Sequence, residues 1–269
     1  MYADDVQLHT CCKLNELNSC ISRININMEN ISRWANANKL LINPTKSKCL
    51  VISSQNIDTD SIPKIFIDNN EIEYVDRAKN LGVIFNSKLS WNDHIDSLCG
   101  KAFNMLRNLW VTQSFTPLKI KILLVKTFLM PVILYGCELY TNCDQLHKHK
   151  LNVLFNNSTR YVYGLKRFDS VSEKAKTIYG ITFFKYLDFR VLSFLHKIIY
   201  TKTPPYLFSR LRFTLSERNC HIVPLRHSLS SSERQFFIYS VSLWNRLPVS
   251  LQRMTNLSTF QHNLLKHFS

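Results

Sequence analysis

The chain has 269 residues, of which 45% are hydrophobic, so it is long enough to bury at least one substantial core. The chain has only five glycines and eight prolines and no low-complexity tract, which argues against long disordered linkers, and it contains no internal repeat. The formal net charge of +15 favours a polyanionic partner, although charge alone does not distinguish RNA from DNA, or binding from simple solubility.

The first motif along the chain is the tetrapeptide Tyr2-Ala3-Asp4-Asp5. Paired carboxylates in a tight turn supply the hard oxygen ligands that a two-metal phosphoryl-transfer site needs. An Asp-Asp pair in a turn is also a common solvated turn, so the motif alone leaves both interpretations open. Such a site needs a further carboxylate from a neighbouring strand. Because only Met1 precedes the motif, we expect half of an active site.

Residues 6–90 are predicted to form strands around one long helix. Val6 to Thr10 alternates apolar and polar side chains, which indicates a strand. A single apolar stripe then predicts an amphipathic helix that packs on a sheet and ends near residues 36–38. The stripe consists of Leu14, Leu17, Ile21, Ile24, Met28, Ile31 and Trp34. Further strands are expected at 49–53 and 81–85, with a β-hairpin at 65–67 and 72–75.

From Ile95 onwards the apolar spacing is helical. Helices are expected from Ile95 to Leu109 and at 117–130, 144–163, 170–179 and 185–200. Thr116 before Pro117 marks a helix start, and Gly164 and Gly180 mark helix ends. Beyond residue 205 we expect a strand at 236–241 and a helix at 260–268. The predicted fold class is therefore α+β.

Several blocks resemble, in the same order, the reverse transcriptases of non-LTR retrotransposons. Tyr2 to Asp5, the long helix, Ile31 to Trp34 and Lys39 to Lys48 resemble the palm, and Lys79 to Phe85 with Leu89 to Ile95 resembles the next block. Pro131 to Gly136 resembles the end of the thumb, and Ser242 to Pro248 resembles a block near the C-terminus of jockey- and CR1-like open reading frames. The resemblance implies a partial palm sheet in 1–95, a thumb-like helical region in 96–165 and the C-terminal region of the reading frame in 166–269.

The resemblance also implies catalytic roles in the complete enzyme. Asp4 would ligate the catalytic metal ions, expected to be Mg²⁺, and Asp5 would support or ligate them. Lys46 matches the position proposed to protonate the leaving pyrophosphate, and a lysine on a surface loop is the alternative.

Other residues are implied to contact nucleic acid. Tyr2 would lie near the primer terminus and the incoming deoxynucleotide, which only a complete enzyme would use. Leu81 and Gly82 match a hairpin that grips the primer strand. The implied partners are an RNA template and a DNA primer, held by a thumb that contains Lys119, Lys121 and Lys126. For each of these lysines, a solvated helix face remains the alternative.

The resemblance does not extend to the family's fingers subdomain, or to the palm strand that carries the first metal-binding aspartate. Four later acidic residues fall in predicted turns and are not expected to replace it, namely Asp58, Asp60, Asp68 and Asp76. Three hypotheses follow: a fragment of an RNA-directed DNA polymerase that is inactive alone, a non-catalytic nucleic-acid-binding remnant, and a relic without function.

Basic and aromatic side chains alternate at Arg160 to Tyr163 and at Lys166 to Phe168. The aromatic rings there could stack on bases or be buried in the core.

The remaining patterns concern thiol chemistry, zinc binding, membrane insertion and the cellular compartment. Eight cysteines lie scattered without a disulfide framework, which indicates reduced intracellular thiols. Cys137, Cys143, His147 and His149 do not have zinc-finger spacing, so zinc is not expected. Ile120 to Tyr135 is interrupted by charges and a proline, so no membrane partner is expected. No secretion signal begins the chain, and an intracellular location, with the nucleus as one candidate compartment, is expected.

Overall fold

A computed structural model describes residues 5–214, 221–224 and 236–269. The fold class is α+β, as predicted. The chain forms two compact units, Met1–Ser90 and Trp91–Ser269, which we call the N-terminal unit and the helical unit.

The N-terminal unit contains one long helix and two small sheets. Helix α1 spans Leu17–Ala37, and turns of 3-10 helix lie at Leu14–Glu16 and Pro44–Lys46. The strands are β1 (Lys48–Cys49), β2 (Ile65–Ile67), β3 (Asn70–Tyr74), β4 (Arg77–Asn80) and β5 (Val83–Asn86). The first sheet has the order β1-β3-β2, with β1 parallel and β2 antiparallel to β3, and β4 and β5 form an antiparallel hairpin.

Helix α1 covers the three-stranded sheet through an isoleucine-rich core. Ile21 of the predicted stripe is buried together with Ile65, Ile67 and Ile72, and the middle of the stripe packs against them. Asn25 accepts from the backbone N–H of Phe66 and donates to the carbonyl of Lys64, each over 3.0 Å. The Asn25 side chain therefore forms hydrogen bonds with backbone groups at the edge of β2, where no neighbouring strand pairs with them.

Two strand predictions in this unit are wrong in extent or kind. Residues 6–10 form no strand and are exposed, because no strand in the described part of the chain pairs with them. The strand predicted at 49–53 is limited to Lys48–Cys49, where it pairs with β3. The hairpin of β2 and β3 is confirmed, and β5 begins two residues later than predicted.

Besides an antiparallel bridge between Phe213 and Ile222, the described residues of the helical unit form helices. They are α2 (Asn92–Val111), α3 (Leu118–Leu124), α4 (Met130–Leu134), α5 (Cys137–Tyr140), α6 (Gln145–Tyr163), α7 (Ser172–Tyr179), α8 (Phe183–Thr201), α9 (Pro205–Phe208), α10 (Phe236–Asn245), α11 (Val249–Gln252) and α12 (Leu257–Phe268). Gly164 and Gly180 follow α6 and α7 with φ of +66° and +82°, which confirms both as helix ends. Helix α8 packs into two apolar cores, one formed mainly with α2, α6 and α7 and the other with α10 and α12.

The helix predicted at 117–130 continues to Leu134 through a wide turn. A π-helical turn, Val125–Leu129, joins α3 to α4. Pro131 explains it, since proline lacks an N–H and its ring clashes with the preceding turn of a regular α-helix. The hydroxyl of Thr116 donates to the carbonyl of Thr112 over 2.7 Å, so this residue does not cap α3 as predicted.

Residues 236–241 belong to helix α10, so the predicted strand is wrong. Their aromatic content favours a strand locally. However, Ser240, Val241 and Trp244 are buried at helical spacing, and packing against α8 decides the conformation. Within the described residues, no helix combines the length and the apolar character needed to cross a bilayer.

Candidate functional site

Of the acidic tetrapeptide, Tyr2 and Asp4 lie outside the described residues, and Asp5 is exposed. The segment that follows is tied to the β4–β5 hairpin, because the side-chain amide of Gln7 donates to Oδ1 of Asn80 over 2.7 Å. Asp5 is two residues from Gln7, which limits their Cα separation to about 7 Å. The structure therefore brings the segment after the aspartate pair to the end of the hairpin that contains Leu81 and Gly82.

The hairpin turn has an unusual first residue. Asn80 pairs with Val83, so Leu81 and Gly82 form a two-residue loop, with φ of +45° and +87°. Positive φ at both positions is the geometry of a type I′ turn, which favours Asn-Gly. Glycine adopts it freely, whereas the left-handed region costs other residues about 1–2 kcal/mol. An exposed leucine is thus held in a strained conformation at the tip of the hairpin.

Lys46 ends a tightly hydrogen-bonded turn. Oδ1 of Asn43 accepts from the N–H groups of Thr45 and Lys46 over 3.1 and 3.3 Å, and from the Thr45 hydroxyl over 2.7 Å. The Lys46 side chain is exposed, and its Nζ makes no hydrogen bond or ion pair with the described residues. The role of Asn43 was missed, although Asn before Pro is a recognisable start of a helical turn.

Four other acidic side chains of the N-terminal unit have structural partners. Asp68 accepts a hydrogen bond from Ser32, Glu73 pairs with Lys48, and Glu71 pairs with Lys64. Asp58 accepts from the N–H of Asp60 over 3.1 Å, within its own turn. Among the described residues, no group of three or more His, Cys, Asp or Glu side chains is placed to hold a metal ion. The described residues alone therefore do not make a metal site.

Of the Cys/His cluster considered for zinc, Cys137, Cys143 and His147 are buried in the helical unit, whereas His149 is exposed. Nδ1 of His147 lies 2.7 Å from Oδ1 of Asp144. Burial raises the pKa of the Cys137 thiol to about 12, which favours the protonated sulfur over the thiolate that binds metals.

The three lysines expected in a thumb, Lys119, Lys121 and Lys126, do not share one environment. Lys119 and Lys126 are exposed, whereas Lys121 is half-buried. At about 100° per residue, Lys121 lies roughly 200° around the helix from Lys119, so it faces another side. Lys119 and Lys126 are the pair that is available to a ligand.

The positive charge is divided unequally between the units. Residues 1–90 contain ten Lys and Arg and ten Asp and Glu, so the N-terminal unit has no formal net charge. The whole excess of +15 lies in residues 91–269. A polyanion is therefore attracted to the helical unit, while the unit that contains Asp4 and Asp5 is neutral overall.

Comparison with known proteins identifies two related enzymes from Drosophila melanogaster. The chain is 25% identical over 167 residues to the RNA-directed DNA polymerase from mobile element jockey, a match that covers 61% of this chain and 18% of that protein. It is 22% identical over 142 residues to the probable RNA-directed DNA polymerase from transposon X-element, covering 51% of this chain and 15% of that protein.

The chain thus spans less than a fifth of the length of these curated relatives. No protein-family profile and no solved structure matches it significantly. Both matches agree with the resemblance drawn from the motifs. The chain contains a reverse-transcriptase-like region, similar to those of non-LTR retrotransposons, over about half of its length.

Proposed function

We propose that this chain is the end of the palm, the thumb and the C-terminal region of a non-LTR retrotransposon reverse transcriptase, and that its helical unit binds a primer–template duplex. The observation that carries the proposal is the confinement of the whole positive excess to the helical unit of a chain related to two RNA-directed DNA polymerases. Basic side chains that neutralise phosphates release condensed counterions, which supplies sequence-independent affinity.

Salt-dependent binding tests this proposal. The chain should bind a labelled RNA–DNA primer–template with an affinity that falls linearly on a log–log plot against salt. Lys119→Gln with Lys126→Gln should flatten the slope by up to about two, since each phosphate contact contributes about 0.9. The matched control is Lys13→Gln with Lys39→Gln, which removes two exposed charges from the neutral N-terminal unit. Equal slopes for the two double variants would overturn the placement on α3 and the π-helical turn.

In the complete enzyme, we propose that Asp4 and Asp5 hold divalent metal ions. Mg²⁺ is the ion proposed, because carboxylate oxygens are hard ligands. Lys46 would serve as the acid that protonates the leaving group. Tyr2 and the strained Leu81-Gly82 turn would contact the primer. The bond between Gln7 and Asn80 supports a common location for the aspartates and the turn.

We also propose that the 269-residue polypeptide does not extend a primer by itself. A two-metal site draws carboxylates from more than one strand, and four acidic side chains of the N-terminal unit (Asp58, Asp68, Glu71 and Glu73) already have structural partners. The test is primer extension on an RNA template with Mg²⁺ or Mn²⁺, comparing the parent with Asp4→Ala, Asp5→Ala. Extension by the parent that the double variant loses would contradict this proposal without affecting the binding proposal. In that case a nucleic-acid-binding remnant, the non-catalytic alternative, would be excluded.

A further inference from the structure

Two phenylalanines of the helical unit are almost fully exposed. Phe115 and Phe168 have exposed fractions of 89% and 92%, whereas most aromatic side chains of this unit pack into its cores. Exposed apolar side chains are informative where several of them share one surface, since such a patch is a candidate interaction site.

The packing of α2 and α6 brings both rings to one end of the helical unit. Near the helix starts, Nζ of Lys150 donates to Asp96 over 2.5 Å, and near the helix ends the rings of Trp110 and Tyr161 lie 6.4 Å apart. The two helices therefore run parallel, and their C-terminal ends lie side by side. Phe115 and Phe168 follow those ends within five residues. The side chain of Gln113 joins the loop after α2 to the last turn of α6 by donating to the carbonyl of Tyr161 over 2.7 Å.

Each ring is presented by a hydrogen-bonded turn. The N–H of Phe115 donates to the carbonyl of Thr112 over 3.2 Å. In the other loop, the N–H of Asp169 donates to the carbonyl of Lys166, while the Asp169 carboxylate accepts from the N–H of Lys166. Arg167 and Phe168 thus occupy the two central positions of a closed turn. The backbone holds the rings outward, so little ordering is needed when a ligand binds.

The surroundings of the rings are basic. The sequence contains no Asp or Glu between Asp96 and Glu138, or between Asp144 and Asp169. The guanidinium carbon of Arg167 lies 5.7 Å from the Phe168 ring centroid, and Nζ of Lys174 lies 5.2 Å from the ring centroid of Tyr163. The Asp169 carboxylate is already engaged within its turn. Exposed rings among cations, with few anions, complement a chain that has both phosphates and unpaired bases.

We infer that this helix-end surface, formed by Phe115, Phe168, Lys166 and Arg167, binds single-stranded nucleic acid by base stacking. Single-strand binding goes beyond the duplex binding proposed above, because the bases of a duplex are stacked on one another and do not offer their faces to a side chain. Base–aromatic stacking tolerates any sequence and combines with phosphate contacts in single-strand-binding proteins. The strand is the unpaired template or primer that extends from a duplex.

The experiment compares strands with and without bases. Fluorescence anisotropy is measured for oligo-dT and oligo-rU of about 12 nucleotides, within the usual site size of single-strand-binding folds. A deoxyribose-phosphate strand of equal length, without bases, is the third probe. The proteins are the parent, Phe115→Ala with Phe168→Ala, Phe115→Trp with Phe168→Trp, and the control Tyr206→Ala, which removes a 70% exposed ring elsewhere in the same unit.

The double alanine variant should lose about 10- to 100-fold in affinity for oligo-dT, oligo-rU or both, and the double tryptophan variant should keep it. The affinity of the double alanine variant for the abasic strand should not change, and Tyr206→Ala should bind all probes as the parent does. The dT and rU arms show whether DNA or RNA is preferred. Equal affinity of the parent for oligo-dT, oligo-rU and the abasic strand would overturn the stacking inference while leaving salt-dependent duplex binding intact.

A second copy of the chain is the competing occupant of this surface. If the double alanine variant changes sedimentation from dimer to monomer but binds every strand as the parent does, the surface is a protein interface and the inference is wrong. Both rings are exposed, so the alanine variants are expected to fold, and an unchanged far-UV circular dichroism spectrum checks this. If the parent binds none of these strands at low salt but still binds the primer–template duplex, the inference is wrong and the proposed function stands.

Discussion

Leu81 and Leu89 form a natural pair for separating backbone strain from function. Both lie in the left-handed region, with φ of +45° and +50°, and they are 43% and 44% exposed. Only Leu81 occupies the hairpin tip that resembles a primer grip. Strain retained at an exposed position motivates a functional hypothesis, since asparagine would satisfy the same turn at lower cost.

We predict that Leu81→Asn and Leu89→Asn each stabilise the N-terminal unit by about 1 kcal/mol, because asparagine tolerates positive φ. Only Leu81→Asn should weaken primer–template binding. Urea unfolding and anisotropy measure the two effects. A loss of affinity in both variants, or in neither, would contradict a specific role for the leucine at the tip.

His196 is a buried residue whose protonation limits stability. Its Nε2 lies 2.6 Å from the Met254 carbonyl and donates to it, and its ring stacks on Phe260 at 4.2 Å. Burial lowers the pKa of His196, with the Met254 carbonyl as a smaller opposing influence. Burial also lowers the pKa of His94.

The sign of the pH effect follows from these shifts. The unfolded chain binds protons near pH 6.5, above the folded pKa, so the stabilising contribution is complete above that pH and is lost as the pH falls below it. Free energies of unfolding should therefore decrease from about pH 7.5 to 5.5. His196→Gln should be less stable at pH 7.5 but should show a shallower decrease, with His94 accounting for part of the remainder. An unchanged slope in the variant would contradict this account.

At the scale of elements, the turn at Pro44–Lys46 depends on one side chain. Asn43 accepts from two backbone N–H groups, as a helix cap does. Asn43→Ala should destabilise the N-terminal unit by about 1 kcal/mol, as measured by urea unfolding. Asn27→Ala, at an exposed position of α1, is the control and should have little effect. Equal destabilisation by both would show that the cap is not responsible.

The helices were more predictable from the sequence than the strands. Ile95, Leu98, Ala102 and Leu106 are buried at the predicted spacing, because one amphipathic stripe is enough to specify a helix face. A strand depends on a partner that the local sequence does not name. Thus β4 was not predicted, residues 6–10 were predicted as a strand without one, and Phe236–Asn245 folds as a helix.

The candidate site was only partly predictable for the same reason. Sequence motifs indicated Leu81-Gly82 and the basic–aromatic segment from Lys166 to Phe168. They did not indicate that Gln7 reaches Asn80, or that Phe115 lies at the same helix-end surface as Phe168. Both relations arise from contacts between residues that are far apart in the chain.

At the scale of the whole molecule, the N-terminal unit exposes apolar side chains near the end of α1. Trp34 is 56% exposed and Leu41 is 94% exposed, and the N–H of Leu40 donates to Ala35 in the last turn of the helix. The chain should therefore bind a hydrophobic dye. Trp34→Lys with Leu41→Lys should lower the fluorescence more than Leu123→Lys with Leu146→Lys, which changes two leucines of the helical unit that are 54% and 61% exposed. Equal decreases would show that Trp34 and Leu41 contribute no more to dye binding than other exposed apolar side chains do.

The central claim is that the helical unit, which carries the whole charge excess, holds the nucleic acid. Photo-crosslinking to a primer–template with 4-thiouridine in the template, followed by peptide mass spectrometry, tests it most directly. We predict that most adducts fall in residues 91–269, including the segment around Lys119 and Lys126, with fewer at the Leu81-Gly82 turn. Adducts confined to residues 1–90, or distributed evenly over the surface, would contradict the account.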